Sequence, residues 1–115
     1  MQFLMLVCDA PDAEPYVAEE DDIEAWGEEL DKRGAWVAGN RLRPIEDAKL
    51  IRRRGGELLV TDGPFAEAKE LIAGYDVLEC ETLEEALELA ARHPMARFGQ
   101  IEVRAIWPWE GPEGA

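Results

Sequence analysis

The chain has 115 residues, 47% of them apolar, which is the size of one domain and enough apolar material to bury a core. Its 26 acidic residues outnumber 12 basic ones, and the formal net charge of -14 repels both nucleic-acid phosphates and anionic membrane surfaces. No segment predicts a membrane-spanning helix and the first residues do not resemble a secretory signal, so we expect a cytoplasmic protein with neither nucleic acid nor a membrane as partner.

The first half of the chain predicts two strands with a helix between them. Residues 3–8 are a continuous apolar run, which indicates a central strand buried on both faces. Ile23, Trp26 and Leu30 then recur at helical spacing before a glycine stop signal, so we expect an amphipathic helix with these side chains in the core. Residues 35–42 predict the second strand.

A β-hairpin is predicted next. Residues 48–54 and 57–61 are prone to form strands, and the two glycines between them suit a two-residue turn. The register that this turn sets supports the prediction, because it places two opposite charges across from each other and two apolar side chains across from each other. These pairs are Arg54 with Glu57 and Ile51 with Val60.

The second half predicts a turn, a strand, a helix and a last strand. Asp62-Gly63-Pro64-Phe65 is a turn by composition, and residues 72–80 form the following strand. A capping box at residues 82–85 begins a helix that a proline ends at His93. The predicted apolar face of this helix comprises Leu83, Ala86, Leu87 and Ala90. The last strand alternates, with a predicted inward face made of Ile101, Val103, Ala105 and Trp107.

The order of these elements predicts an α+β fold of the ferredoxin-like type, with an inserted β-hairpin between its halves. We expect one domain over residues 1–109 and a mobile acidic tail over residues 110–115. In this fold Asp9 at the end of the first strand, the turn at Asp62 and the helix end at His93 lie at one edge of the domain. The sequence therefore predicts a cleft at that edge.

His93 is the only histidine of the chain. A neutral imidazole within reach of Asp62 or Asp9 can serve as a general base or a metal ligand near neutral pH. The alternative is a charged imidazole that interacts with the last carbonyls of its helix. Asp62 also has two interpretations, because aspartate is both an acid–base group and the ordinary residue for closing a turn. The sequence leaves these alternatives open.

Two further residues are candidates for contact with a ligand. Tyr75 follows a glycine in a strand, where its hydroxyl can reach a ligand or its ring can pack as an ordinary strand aromatic. Arg52, in a run of three arginines on the hairpin, can bind a small anion or pair with the acidic first helix. The chain has no zinc or calcium pattern and no phosphate-binding or dinucleotide motif, so we expect no metal and no cofactor.

The chain resembles the YCII-related family, and specifically its D-G-P-F subgroup. The resemblance rests on Asp62-Gly63-Pro64-Phe65, Ala66-Glu67, Lys69-Glu70 and Gly74-Tyr75, and it extends over essentially the whole chain. It implies a ferredoxin-like domain of the dimeric α/β barrel group, whose sheets pack face to face in a homodimer. Members of the subgroup are often encoded beside alternative sigma factors, which implies a regulatory role as an alternative to a catalytic one.

The resemblance does not imply a reaction. In the wider family, a histidine in the first helix and an aspartate before a proline after the second helix form the proposed enzymatic site. This chain has no histidine in its predicted first helix, and its pre-proline residue is His93. The family's pair of residues therefore cannot be carried over to this sequence.

Three hypotheses remain. The first is a small-molecule-binding or enzyme-like homodimer with a cleft near Asp62 and His93, in which Asp9, Arg52 and Tyr75 contact a small anionic ligand. The second is a non-catalytic regulatory or interaction module associated with sigma-factor-dependent transcription. The third is a structural dimer without a ligand. The sheet face that a second copy buries is predicted to be covered by Trp36, Trp107 and Trp109.

Overall fold

A computed structural model of the chain describes residues 1–63 and 71–108. The predicted turn residues Pro64 and Phe65, the polar stretch 66–70, Trp109 and the predicted tail 110–115 lie outside the described residues. The longest described helix has 11 residues, and no helix in this part of the chain is long and apolar enough to cross a membrane.

The fold is α+β, with one antiparallel four-stranded sheet and a separate hairpin. The elements in chain order are β1 (Gln2–Cys8), a 3-10 turn (Ala18–Glu20), α1 (Ile23–Arg33), β2 (Trp36–Arg41), a second 3-10 turn (Ile45–Asp47), β3 (Lys49–Arg54), β4 (Glu57–Asp62), β5 (Ile72–Glu79), α2 (Leu83–Ala91), α3 (Met95–Phe98) and β6 (Gln100–Ala105). The four-stranded sheet has the order β2-β5-β1-β6, while β3 and β4 pair with each other.

The core lies on one face of β1. Phe3 and Met5 are fully buried against the helices, whereas Leu4 and Leu6, which point to the other face, are half-buried. The central position of β1 is as predicted, but in a single chain the strand is covered on one face only. The reason is that the helices pack on the same side of the sheet, which leaves a slab with Cα extents of 49 × 43 × 19 Å.

The first helix packs as predicted over most of its length. Trp26 and Leu30 are buried in the core, and Gly34 ends the helix with a positive φ of 64° while its N–H bonds to the carbonyls of Asp31 and Leu30. Ile23 was predicted to join the core, but its side chain is 41% exposed. Its place in the first turn of α1 sets it beside a cavity instead.

The second helix has a different buried face from the predicted one. Thr82 Oγ1 accepts the N–H of Glu85 at 3.2 Å, as expected of an N-cap, although the Glu85 carboxylate bonds to the N–H of Glu81. The buried residues of α2 are Ala86, Leu89 and Ala90, whereas Leu83 and Leu87 are exposed. Two alanines on the buried face allow this helix to lie close to the sheet.

The last strand ends two residues earlier than predicted. Ile101 and Val103 pack against the core, but Trp107 follows the end of β6 and is 82% exposed, so its predicted inward position is wrong. Trp36 also differs from its prediction. It pairs with the fully buried Leu78 on the helix-covered face and therefore does not cover the open face.

The hairpin forms in the predicted register. Arg54 faces Glu57, and Ile51 faces Val60. Gly55 and Gly56 have positive φ angles of 57° and 80°, which is the backbone that a two-residue turn of this kind requires.

A buried hydrogen bond joins the two longer helices, beside an exposed ion pair between Glu29 of α1 and Arg92 at the end of α2. The indole Nε1–H of Trp26 in α1 donates to the carbonyl oxygen of Leu89 in α2 at 2.8 Å, and both groups are buried. The Leu89 carbonyl oxygen also accepts the N–H of Arg92. If the indole were removed, this oxygen would therefore still have one hydrogen-bond donor. The indole bond therefore helps to fix the relative position of the helices, and its contribution to the free energy of unfolding is moderate.

We expect Trp26→Phe to lower the free energy of unfolding by about 1–3 kcal/mol, through loss of this bond and of packed ring volume. The measurement is urea denaturation followed by circular dichroism. Trp107→Phe is the matched control, since the Trp107 side chain is largely exposed. Equal effects of the two substitutions would contradict the role assigned to Trp26.

Candidate functional site

A cavity of about 660 Å³ opens on the helix-covered side of the sheet. We call it the His93 cavity. It is lined by the end of β1, the end of β2, the start of β5, the loop before α1 and the junction of α2 and α3. Its polar and charged lining consists of Asp9, Tyr16, Asp21, Asn40, Arg41, Tyr75, Asp76 and His93. Its volume lies in the usual range for small-molecule sites.

Two glycines of paired strands lie in the floor of the His93 cavity, with Gly39 opposite Asp76 and Gly74 opposite Arg41. A Cβ atom at Gly39 would collide with the Asp76 carboxylate and approach the Tyr75 carbonyl oxygen to 2.9 Å. A Cβ atom at Gly74 would lie 3.1 Å from the carbonyl oxygen of Asn40. These glycines let the Asp76 side chain lie across β2, where its Oδ1 accepts the indole N–H of Trp36 at 3.0 Å.

His93 is a buried residue of this lining. Only 7% of its surface is exposed, and the edge of its ring packs on Trp26 with centroids 4.7 Å apart. Its Nδ1 accepts the backbone N–H of Met95 at 3.0 Å. This bond needs the lone pair of Nδ1, so it assigns the neutral tautomer that carries its proton on Nε2. In this state Nε2–H is a hydrogen-bond donor.

Burial lowers the pKa of His93 below its ordinary value of 6.5, because a charged imidazole loses hydration in this position. Negative charges on Asp76, Asp21 and Asp22 act in the opposite direction without cancelling the effect. The imidazole is therefore neutral near pH 7, in agreement with the tautomer assigned above. This buried environment disfavours the alternative interpretation, in which His93 is charged and interacts with the carbonyls at its helix end.

The loop before α1 is held over the His93 cavity by one arginine. Arg97 in α3 forms ion pairs with Glu14 at 2.9 Å and with Glu20 at 3.4 Å. Tyr16, between these acids, packs its ring edge on Phe98 and donates its hydroxyl to Asp21. The Asp21 carboxylate also accepts the N–H of Ile23. These contacts place Tyr16 and Asp21 in the lining.

The structure brings some of the predicted site residues together and separates others. Asp9 and His93 line the cavity, whereas Tyr75 borders it through its backbone, because its side chain shares the open face of the sheet with Leu6 and its hydroxyl accepts a hydrogen bond from Asn40. Asp62 is not part of its lining; it belongs to β4 and forms an ion pair with Lys49, with 74% of its side chain exposed. Arg52 is an exposed residue of β3 and is also outside the lining. The physical reason is that the hairpin is a separate sheet.

Sequence reasoning missed Arg41 and Asp76. Asp76 offered a signal, because a carboxylate inside an apolar strand either faces water or has a functional or structural partner. Arg41 offered no such sequence signal, because an arginine at the end of a strand is common at any surface. Across residues 1–63 and 71–108, histidine, cysteine and carboxylate side chains do not gather in threes or more as a metal ion would require.

Comparison with known proteins adds a family. A model of the YCII-related domain matches residues 1–110 of the chain. An uncharacterised protein of Rhizobium meliloti (strain 1021) is 41% identical over 68 residues, which are 57% of this chain and 55% of that protein. The chain thus spans about half the length of this curated relative. The family match includes all residues that line the His93 cavity.

We expect the free energy of unfolding to fall as the pH is lowered from about 7 to about 5, in part through His93. Below the ordinary pKa of 6.5 the unfolded chain binds a proton at this residue, whereas the folded chain resists protonation. The stabilising contribution is therefore complete above this value and is lost towards acid, with a slope of at most ~1.4 kcal/mol per pH unit for one proton.

The measurement is urea denaturation at several pH values for the wild type and for His93→Gln. Because glutamine does not titrate, the variant should lose less stability over the same pH interval. Identical pH profiles for the two proteins would contradict the lowered pKa of His93.

Proposed function

The chain belongs to the YCII-related domain family, and from that premise we propose that it is a small-molecule-binding homodimer whose ligand site is the His93 cavity. The observation that carries this proposal is the imidazole of His93, which is buried at the cavity and keeps one ring nitrogen available. A polar ring in this position is costly to bury unless its nitrogens have partners. A ligand can supply the partner that residues 1–63 and 71–108 do not.

The availability of Nε2 follows from the hydrogen bonds of the described residues. Nδ1 is taken by Met95, and Nε2 makes no hydrogen bond with residues 1–63 or 71–108. In the same part of the chain, no buried side-chain nitrogen or oxygen is both sealed from solvent and without a partner. Nε2 is therefore accessible, and the accessible space beside His93 is the cavity.

The tautomer supports binding over general-base catalysis. A general base needs a lone pair that faces the substrate, and in the assigned state the lone pair of His93 faces the Met95 amide. The Nε2–H can instead donate to a carbonyl or carboxylate oxygen of a ligand. The predicted partnership of His93 with Asp62 has no support in the lining, so the proposed site is centred on His93, Asp9, Arg41 and Asp76.

The uncovered face of the sheet supports the homodimer. Leu4, Leu6 and Val77 lie together on this face by register and are only half-buried. A second copy packed face to face would remove this apolar surface from water. The strand order β2-β5-β1-β6 also supports the ferredoxin-like interpretation, and with it the dimeric α/β barrel group. We further propose that the chain belongs to the D-G-P-F subgroup and that it is cytoplasmic.

A second candidate function rests on the hairpin. Ile51, Leu58 and Val60 share one face of it and are 68%, 54% and 57% exposed. Exposed apolar side chains on a projecting hairpin are typical of a protein–protein contact. This surface favours the regulatory module associated with sigma-factor-dependent transcription, in which the cavity has no ligand.

We expect some small carboxylates or carbonyl compounds to raise the melting temperature of the wild type in a thermal-shift screen, because they accept the Nε2–H bond. His93→Leu should abolish this shift, whereas His93→Gln, which retains a donor, should keep part of it. Asp62→Asn is the matched control outside the cavity and should behave as the wild type. A screen in which no compound stabilises the wild type would contradict the proposed site.

Light scattering after size-exclusion chromatography should give twice the chain mass of 12.9 kDa. Leu6→Glu should produce a monomer, because it places a charge on the proposed contact face. Leu87→Glu is the control, since Leu87 is exposed on a helix away from that face. A folded wild-type monomer at high concentration would refute the dimer.

A further inference from the structure

We propose that the ligand of the His93 cavity is a zwitterion, a small molecule that carries both a carboxylate and an amine. In this arrangement Arg41 and the Nε2–H of His93 bind the carboxylate, and Asp9, whose side chain has no partner within the described residues, binds the amine. The inference rests on the proposed function, since it names the ligand class of the same site. It is carried by Arg41 and Asp9, the charged side chains of the lining that have no partner within the described residues.

Arg41 is the cation of the described lining, and it is not neutralised. The chain has more than twice as many acidic as basic residues, and Arg33, Arg92 and Arg97 each form ion pairs with glutamates. Arg41 forms neither an ion pair nor a hydrogen bond with residues 1–63 or 71–108. A guanidinium that faces a cavity without a carboxylate partner is suited to bind one from a ligand.

The position of Arg41 within the site is marked by its effect on Tyr16. The hydrogen bond with Asp21 raises the pKa of Tyr16, and the positive charge of Arg41 opposes this shift. Arg41 is therefore close to the tyrosine that the loop holds over the cavity. A carboxylate bound by Arg41 would lie inside the lining.

Two carboxylates of the lining keep free acceptor capacity. Asp21 is already used at both oxygens, by the Tyr16 hydroxyl and the Ile23 amide. Asp76 uses Oδ1 for Trp36, which leaves Oδ2, and the Asp9 side chain makes no hydrogen bond or ion pair within the described residues. Asp9 and Asp76 are thus the acceptors that remain for a cationic donor of the ligand.

The balance of charge separates this ligand class from its simpler alternatives. Three carboxylates and one guanidinium face the cavity, so with neutral His93 the described lining has a net charge of -2. This field disfavours a ligand that is only anionic, while Arg41 disfavours one that is only cationic. A metal ion is not favoured, because the carboxylates of the described chain do not gather into a metal site. A molecule that carries both charges can pair its carboxylate with Arg41 and its amine with a carboxylate of the lining.

The test uses four probes with the same six-carbon skeleton: norleucine, 6-aminohexanoate, hexanoate and hexylamine. Their dissociation constants for the full chain are measured by calorimetry or NMR titration near neutral pH. We expect at least one of the two amino acids to bind about tenfold more tightly than hexanoate and hexylamine, because it adds a second charge-assisted hydrogen bond.

Variants assign the two ends of the ligand. Arg41→Gln should reduce the affinity of the amino acid about tenfold, to that of hexylamine, and Asp9→Asn should reduce it towards that of hexanoate. Arg43→Gln is the matched control, because Arg43 pairs with Asp47 and does not line the cavity. Loss of binding in the control to the same degree would overturn the assignment.

The outcomes also separate this inference from the proposed function. If hexanoate binds as tightly as the amino acids, or if other compounds bind in a His93-dependent way while all four probes fail, the zwitterion is overturned and the binding site stands. If no compound of any class binds at the cavity, the proposed function itself fails.

Discussion

The packing of Trp26 against both α2 and His93 is the contact on which the arrangement of the cavity depends. Its indole N–H joins α1 to the Leu89 carbonyl, and its ring supports the edge of the imidazole. One buried side chain thus contacts both helices and the polar ring beside them. Because the Met95 amide holds Nδ1, the ring has one orientation and one neutral tautomer that satisfy all its contacts.

Family membership and local geometry make separate contributions to the functional proposal. The YCII-related match accounts for the fold over residues 1–110 and says nothing specific about chemistry. His93 stands before Pro94 and is joined in the lining of the cavity by Asp76 and Arg41. The site of this chain is therefore best understood from its own hydrogen bonds. These bonds describe a binding surface more readily than an acid–base pair.

Much of the fold could be predicted from the sequence, because local patterns determine it. The strands, the hairpin register and the Gly34 helix end follow from alternation, turn chemistry and capping. The cavity could be predicted only in part. The fold pattern predicts Asp62 at the same edge of the domain as His93, whereas Asp62 lies in a hairpin that forms a sheet of its own. The burial of Leu89 rather than Leu87 in α2, and the position of the proton on His93, depend on tertiary contacts that no short pattern encodes.

The pair of glycines beneath the cavity has a consequence for selectivity. At Gly74 the floor of the cavity consists of peptide groups whose positions are fixed by strand pairing, whereas at Gly39 the Asp76 carboxylate lies over the backbone. Side-chain rotamers cannot change the shape of the floor at Gly74, so this part of the cavity keeps one outline. Under the proposed function, selectivity between ligands then depends on the charged side chains of the lining, where exchange of one residue can alter preference without disturbing the strands below.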